Sequence, residues 1–329
     1  MATDRAESSA PASSHHLADS GHVSIEIIDV LNGQRAALEA AGDPGAQHAI
    51  AQAGIVAPLR SIWEPLLAMP WLPERVDPDD PASIVAMLSL YPLDADAEAG
   101  LHYLDRFTAA GSLAACRNAV IRTFDTLAPS EHGIALPPVR YSLALASPAT
   151  PGLVDRNRGY TGFGGAPGSI MMIALPDEYN LPRLATMAAH EAHHQVRLTR
   201  EPWDPATITV GQYLVLEGLA EAFAAQLLGE QTLGPWTTAV AADELARHRP
   251  TLVAALNETV DPRPYMFGDW AAATSGYEPR GLPDFIGYTA GYQLVRTALD
   301  ELGITATEAT YLPWREIAAA SRWLHGAAA

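Results

Sequence analysis

Residues 211–228, GQYLVLEGLAEAFAAQLL, constrain the chain more than any other stretch. The segment has helical length and is apolar nearly all round, so it must be buried on every face. Its only charges are Glu217 and Glu221, four apart on one stripe. Like charges at that spacing repel, and the segment carries no Arg to neutralise them. Burying both carboxylates is costly unless a cation or a proton meets them. A metal ion with a histidine ligand resolves the conflict. Glu217 would bind the metal, and Glu221 would accept the free ring N–H of that histidine. One protonated glutamate, or an Arg reaching in from elsewhere, would also resolve it.

The histidines come just upstream, in MAAHEAHHQVR at residues 187–197. His190, Glu191 and His194 spell H-E-x-x-H. On a helix, residues four apart point the same way one turn on, so His190 and His194 could hold one ion together. Glu191 falls on the next stripe, beside the open side of that ion, where it could take a proton from a water. A solvated helix face carrying three histidines is the alternative. The apolar run ahead of it, residues 181–189, argues for burial, and buried imidazoles need partners. His193 points off the ligand stripe and is read as a supporting or surface residue.

HEAHH followed by EGLAE resembles the family of predicted zinc-dependent proteases typified by YjaZ, of the gluzincin type. The resemblance extends to the glycine-rich run at 159–168, YMFGD at 265–269, IGYTAGY at 286–292, and LPWREI at 312–317 followed by Ser321. It implies that His190, His194 and Glu217 bind Zn²⁺ and that Glu191 is the general base. The later acid of the gluzincin pattern is often Asp; here Glu221 holds the place. The expected fold is α+β, mainly α: a zincin-like metallopeptidase with a small mixed sheet beside the active-site helix. The expected reaction is peptide hydrolysis by metal-activated water. A metal-binding regulatory protein of the same fold without efficient hydrolysis is the rival reading, and a non-peptide amide or ester substrate is a third.

Composition excludes much else. The chain of 329 residues contains no lysine; all twenty of its basic residues are Arg. A P-loop lysine, a kinase lysine and a Schiff-base lysine are therefore impossible. A net charge of −18 repels nucleic-acid phosphates and anionic membranes, so the expected partner is a peptide or protein, with neither nucleic acid nor membrane. The single cysteine, Cys116, rules out an internal disulfide. Residues 1–20 lack an apolar signal region and read as a disordered tail carrying His15 and His16, and a cytoplasmic location is expected.

After that tail, residues 21–130 read as a mainly helical part and 131–329 as the catalytic domain. Residues 23–30, 138–147 and 169–175 alternate or run apolar as strands. The last of these, with Ile170 and Met172, is expected to be the sheet edge that binds substrate backbone. Helices are expected at 35–69 with a break at 42–45, then at 82–89, 97–109, 112–127, 234–248, 250–259 and 284–302. Residues 261–283 form an aromatic-rich loop that could line a pocket. Tyr288, then Tyr292, are the candidate donors to the oxyanion, with Arg280 and His248 behind them. Packing of both tyrosines in the core is the alternative.

Overall fold

The computed structural model describes residues 23–67, 76–204 and 207–326. The proposed tail with His15 and His16 lies outside them. Four strands form one sheet: β1 (Ile25–Ile28), β2 (Val139–Leu145), β3 (Tyr160–Ala166) and β4 (Ser169–Ala174). Their order is β1-β2-β4-β3. β1, β2 and β4 run parallel, with Ile27 opposite Tyr141 and Tyr141 opposite Ile170. β3 returns antiparallel along β4 through a turn at Gly168, whose φ of +73° suits glycine.

Side chains of successive strand residues face opposite ways, and both faces of this sheet are covered. Tyr141, Leu143, Leu145, Ile170, Met172 and Ala174 enter one apolar core. Ala144, Met171 and Ile173 enter a second. This double burial is the usual condition of parallel strands. The second core is closed by α1 (Val30–Glu39), α2 (Pro44–Ala51), α3 (Arg60–Leu66) and α4 (Pro81–Met87). The first is closed by α5 (Ala97–Ala109), α6 (Ser112–Leu127), α7 (Leu184–Arg200), α8 (Val210–Leu228) and α9 (Ala242–Ala255). It continues into the short α10 (Arg263–Phe267) and α11 (Ala272–Ser275), then α12 (Ile286–Leu302), α13 (Ala306–Ala309) and α14 (Trp314–Ala320). The architecture is thus α+β and mainly helical, with a small mixed sheet.

Two expectations need correction. β4 is not an edge. It is hydrogen-bonded to β2 on one side and β3 on the other, so Ile170 and Met172 sit fully buried inside the sheet. The edge next to α7 is β3, formed by the glycine-rich run. The two helices expected at 234–259 are one helix, α9, which runs through Pro250 because burial of Leu245, Leu252 and Ala255 carries it past the missing hydrogen bond. Cys116 is fully buried, and burial pushes its thiol up to about 12, so it behaves as a core residue. Among the described residues no helix is long and apolar enough to cross a membrane.

Candidate metal centre

α7 is buried at every position from Thr186 to Arg197, and α8 at every position from Leu214 to Ala224. The Thr209 side chain caps α8 by accepting from the Gln212 N–H at 3.1 Å. At the C-terminal end of α7, the buried Arg197 guanidinium donates to the carbonyls of Thr310 and Leu312 and pairs with Glu201. Glu201 in turn accepts from the Trp314 N–H. The LPWREI block is therefore a brace on this helix. His193 belongs to the same brace and is not on the surface: its Nε2 lies 3.0 Å from Thr310 Oγ1, which itself donates to the Ala306 carbonyl. Burial, then His194 and Arg197, hold its pKa well below the usual histidine value, so it stays neutral.

His190, His194 and Glu217 converge. His190 Nε2 lies 3.1 Å from His194 Nε2 and 3.3 Å from Glu217 Oε2; His194 Nε2 lies 3.7 Å from the same oxygen. A tetrahedral zinc with bonds near 2.0–2.1 Å separates its ligand atoms by about 3.3 Å, so the three atoms fit one ion. A single proton could satisfy only one of these three contacts. The donor set, two imidazoles and a carboxylate, is also one that zinc takes. Glu191 is close as well: ligand atoms of His190, Glu191 and His194 lie within 4.8 Å of one another. Two carboxylates thus face the imidazole pair, and the tighter triangle is the one with Glu217.

Electrostatics agree with a cation here. Burial works against the charge on His190, yet Glu221 and Glu217 overcome it and hold its pKa well above the usual value. Burial would raise Glu217, but His194 and His190 hold it far below the usual carboxylate range. Glu221 Oε1 lies 3.3 Å from His190 Nδ1, at ion-pair distance though off hydrogen-bond alignment, and accepts the indole N–H of Trp236. Glu191 is raised by burial, against the pull of His190 and His194.

The glycine-rich strand fits over Glu191. A Cβ on Gly162 would lie 2.4 Å from Glu191 Oε1, and one on Gly164 would lie 2.2 Å from the Glu191 carbonyl oxygen. Only glycine lets β3 come this close. Gln195, one turn on, clamps the hairpin: its amide donates to the Gly164, Ala166 and Ser169 carbonyls and accepts from the Gly168 N–H. Tyr288 lines the same cavity as His190, Glu191 and Glu217. Burial, then Glu217 and Tyr213, push its hydroxyl well above the usual value, so it remains a donor. Tyr292 does not line that cavity. It lies one turn further along α12, with the Arg296 guanidinium 5.5 Å from its ring. Arg280 packs on Tyr265 instead, and neither it nor His248 lines the cavity. Tyr213 and Trp236 were missed. Tyr213 stands four residues before Glu217, a spacing that puts it on the ligand stripe.

A helix bearing H-E-x-x-H, crossed by a second helix that brings a glutamate to both imidazoles under a glycine-rich edge strand, defines the kind of protein this is. Residues 128–319 match the family described as Predicted Zn-dependent protease (DUF2268), and the chain belongs to that family. It is similar to the "Uncharacterized protein YjfC" of Bacillus subtilis (strain 168), with 40% identity over 175 residues. That match covers 51% of this chain and 57% of the relative, so the chain spans little more than half of the relative's length. No solved structure matches the chain significantly.

Proposed function

We propose that the protein is a zinc metallopeptidase of the gluzincin type, with a zincin-like catalytic unit over residues 131–329. The observation that carries this is the convergence of His190 Nε2, His194 Nε2 and Glu217 Oε2 within 3.7 Å in a buried site. His190, His194 and Glu217 would hold the ion, and Glu221, facing His190 Nδ1, would fix that ring. Zinc, when bound, supplies Lewis acidity to the scissile carbonyl and to a water. Glu191 takes the proton of the attacking water and passes it to the leaving amine. The Tyr288 hydroxyl donates to the carbonyl oxygen as negative charge grows there. With β4 excluded as the edge, the free edge of β3 offers its backbone to an extended substrate.

The test is metal analysis of the purified protein. One zinc per chain is expected, lost in His190→Ala, together with chelator-sensitive cleavage of a mixed peptide pool. A zinc-supplemented wild type that holds no metal would end the proposal. Trp236→Phe probes the support of His190, since it keeps a ring and removes the N–H that Glu221 accepts. Loss of such outer partners costs about 10–100-fold in metal affinity. We expect at least a tenfold weaker zinc Kd by chelator competition, with the circular dichroism spectrum unchanged.

A further inference from the structure

The catalytic residues open into a cavity of about 1040 Å³. Outside the His/Glu centre, the formal charges lining it among the described residues are Arg156, Asp284, Asp261 and Arg263. They come as two ion pairs, Arg156 with Asp284 and Arg263 with Asp261. A charged substrate side chain entering here would lose its water and find each of these charges already matched.

The walls are aromatic. Trp236, Phe267, Phe285 and Tyr288 form one connected patch, with ring centroids 6.0–6.4 Å apart. The patch starts at the centre itself, because Trp236 donates to Glu221. Phe285 is held in it at a cost: its φ is +57°, a left-handed conformation that a bulky residue rarely adopts. Its N–H donates to the Phe267 carbonyl, tying the two residues together. Strain of this kind is kept where the surroundings demand it and clusters at functional sites.

The rim agrees. Among the described residues the two exposed large apolar side chains are Phe163 and Trp270, at 37% and 42%. Both line this same cavity. Phe163 stands on β3. Trp270 is held in place by the Arg156 guanidinium, 4.5 Å from its ring, and by its own N–H to Asp284. Exposed aromatic anchors around an apolar recess are what recognition sites use.

The geometry points to the substrate class: extended polypeptide with a large apolar side chain, aromatic or leucine-like, beside the bond to be cut, and with charged side chains excluded there. This inference rests on the metallopeptidase reading for the cut but concerns what the cleft holds. Its test uses zinc-loaded Glu191→Gln protein and fluorescein-labelled peptides that differ at one central position: Phe, Leu, Asp or Lys. By fluorescence polarisation the Phe and Leu peptides should bind at least tenfold more tightly than the Asp and Lys peptides. Adding Phe267→Ala or Trp270→Ala should narrow that gap below threefold, with zinc content unchanged. Trp270 is exposed enough that its removal spares the fold. Equal affinities for the four peptides, no measurable binding of any, or an unchanged gap in both variants would overturn the inference. The two readings part on the wild type. Selective binding without cleavage of any peptide defeats the peptidase assignment alone. Cleavage beside charged and apolar residues alike defeats the substrate class alone.

Discussion

Glu191→Gln protein is expected to keep its zinc and its fold while kcat falls by about 10³-fold, within the range for loss of a positioned general base. The amide is nearly isosteric with the carboxylate, so it still fits beneath Gly162 and Gly164, where there is no room for a larger group. It cannot take up the proton of the attacking water. Both Glu191 and Glu217 lie near the imidazole pair, and the variant separates their roles. If Glu217 is the ligand, Glu217→Gln should weaken zinc binding by about 100-fold, at the upper end of the loss seen even for indirect partners, and Glu191→Gln should not. A Glu191→Gln protein that loses its zinc would transfer ligation to Glu191. One that keeps both zinc and full turnover would remove Glu191 from the chemistry. In the wild type, burial raises the Glu191 carboxyl. The rate should fall as pH drops and the base form of Glu191 is lost, and the Gln variant should lack this acid limb.

The centre was legible in the sequence because its four residues follow helical spacing. His190 and His194, like Glu217 and Glu221, are four apart in segments whose apolar surroundings demand burial. A period of 3.6 residues turns such spacing into direction. What was lost depends on contacts between distant segments. IMMIA at 170–174 is apolar at every position, which is what a strand buried on both faces requires. The edge role belongs instead to its neighbour β3. The local pattern hides β3, because YTGFGGA holds three glycines and glycine disfavours strands unless another backbone approaches closely. That approach is made by Glu191, and nothing local announces it. Trp236 is similar: its place on Glu221 depends on a turn after α8 folding back. Tyr292 shows the limit of the helical argument. It shares a face with Tyr288, but one turn along α12 carries it past the end of the cavity. A spacing gives direction around a helix and leaves open where along its axis the cavity stops.

Gly218→Ala should destabilise the protein severely, and two opposed effects make the sign informative. In an isolated helix the change gains about 1 kcal/mol of propensity. Here, however, α8 crosses α12 backbone to backbone. A Cβ on Gly218 would lie 2.1 Å from the Gly291 carbonyl oxygen and 2.3 Å from its carbon, and a Cβ on Gly291 would lie 2.3 Å from the Leu214 carbonyl oxygen. These are main-chain atoms, so no side chain can swing aside, and the helices must part along their length. Overpacking of a core costs typically about 1–3 kcal/mol and occasionally more. With backbone on both sides we expect the upper end, for a net loss of about 2 kcal/mol or more after the propensity gain. Glu217 precedes Gly218, and Tyr288 stands on the facing helix, so parting the helices also draws Glu217 away from His190 and His194. Urea unfolding should show the lost stability and chelator competition a weaker zinc site in the same variant. Gly42→Ala, where a Cβ would meet nothing within 4 Å, should stay within about 0.5 kcal/mol of wild type, as surface changes usually do. A Gly218→Ala protein more stable than wild type would mean that helix propensity outweighs the crossing, and that α8 is not held against α12 at the distance on which the placement of Glu217 depends.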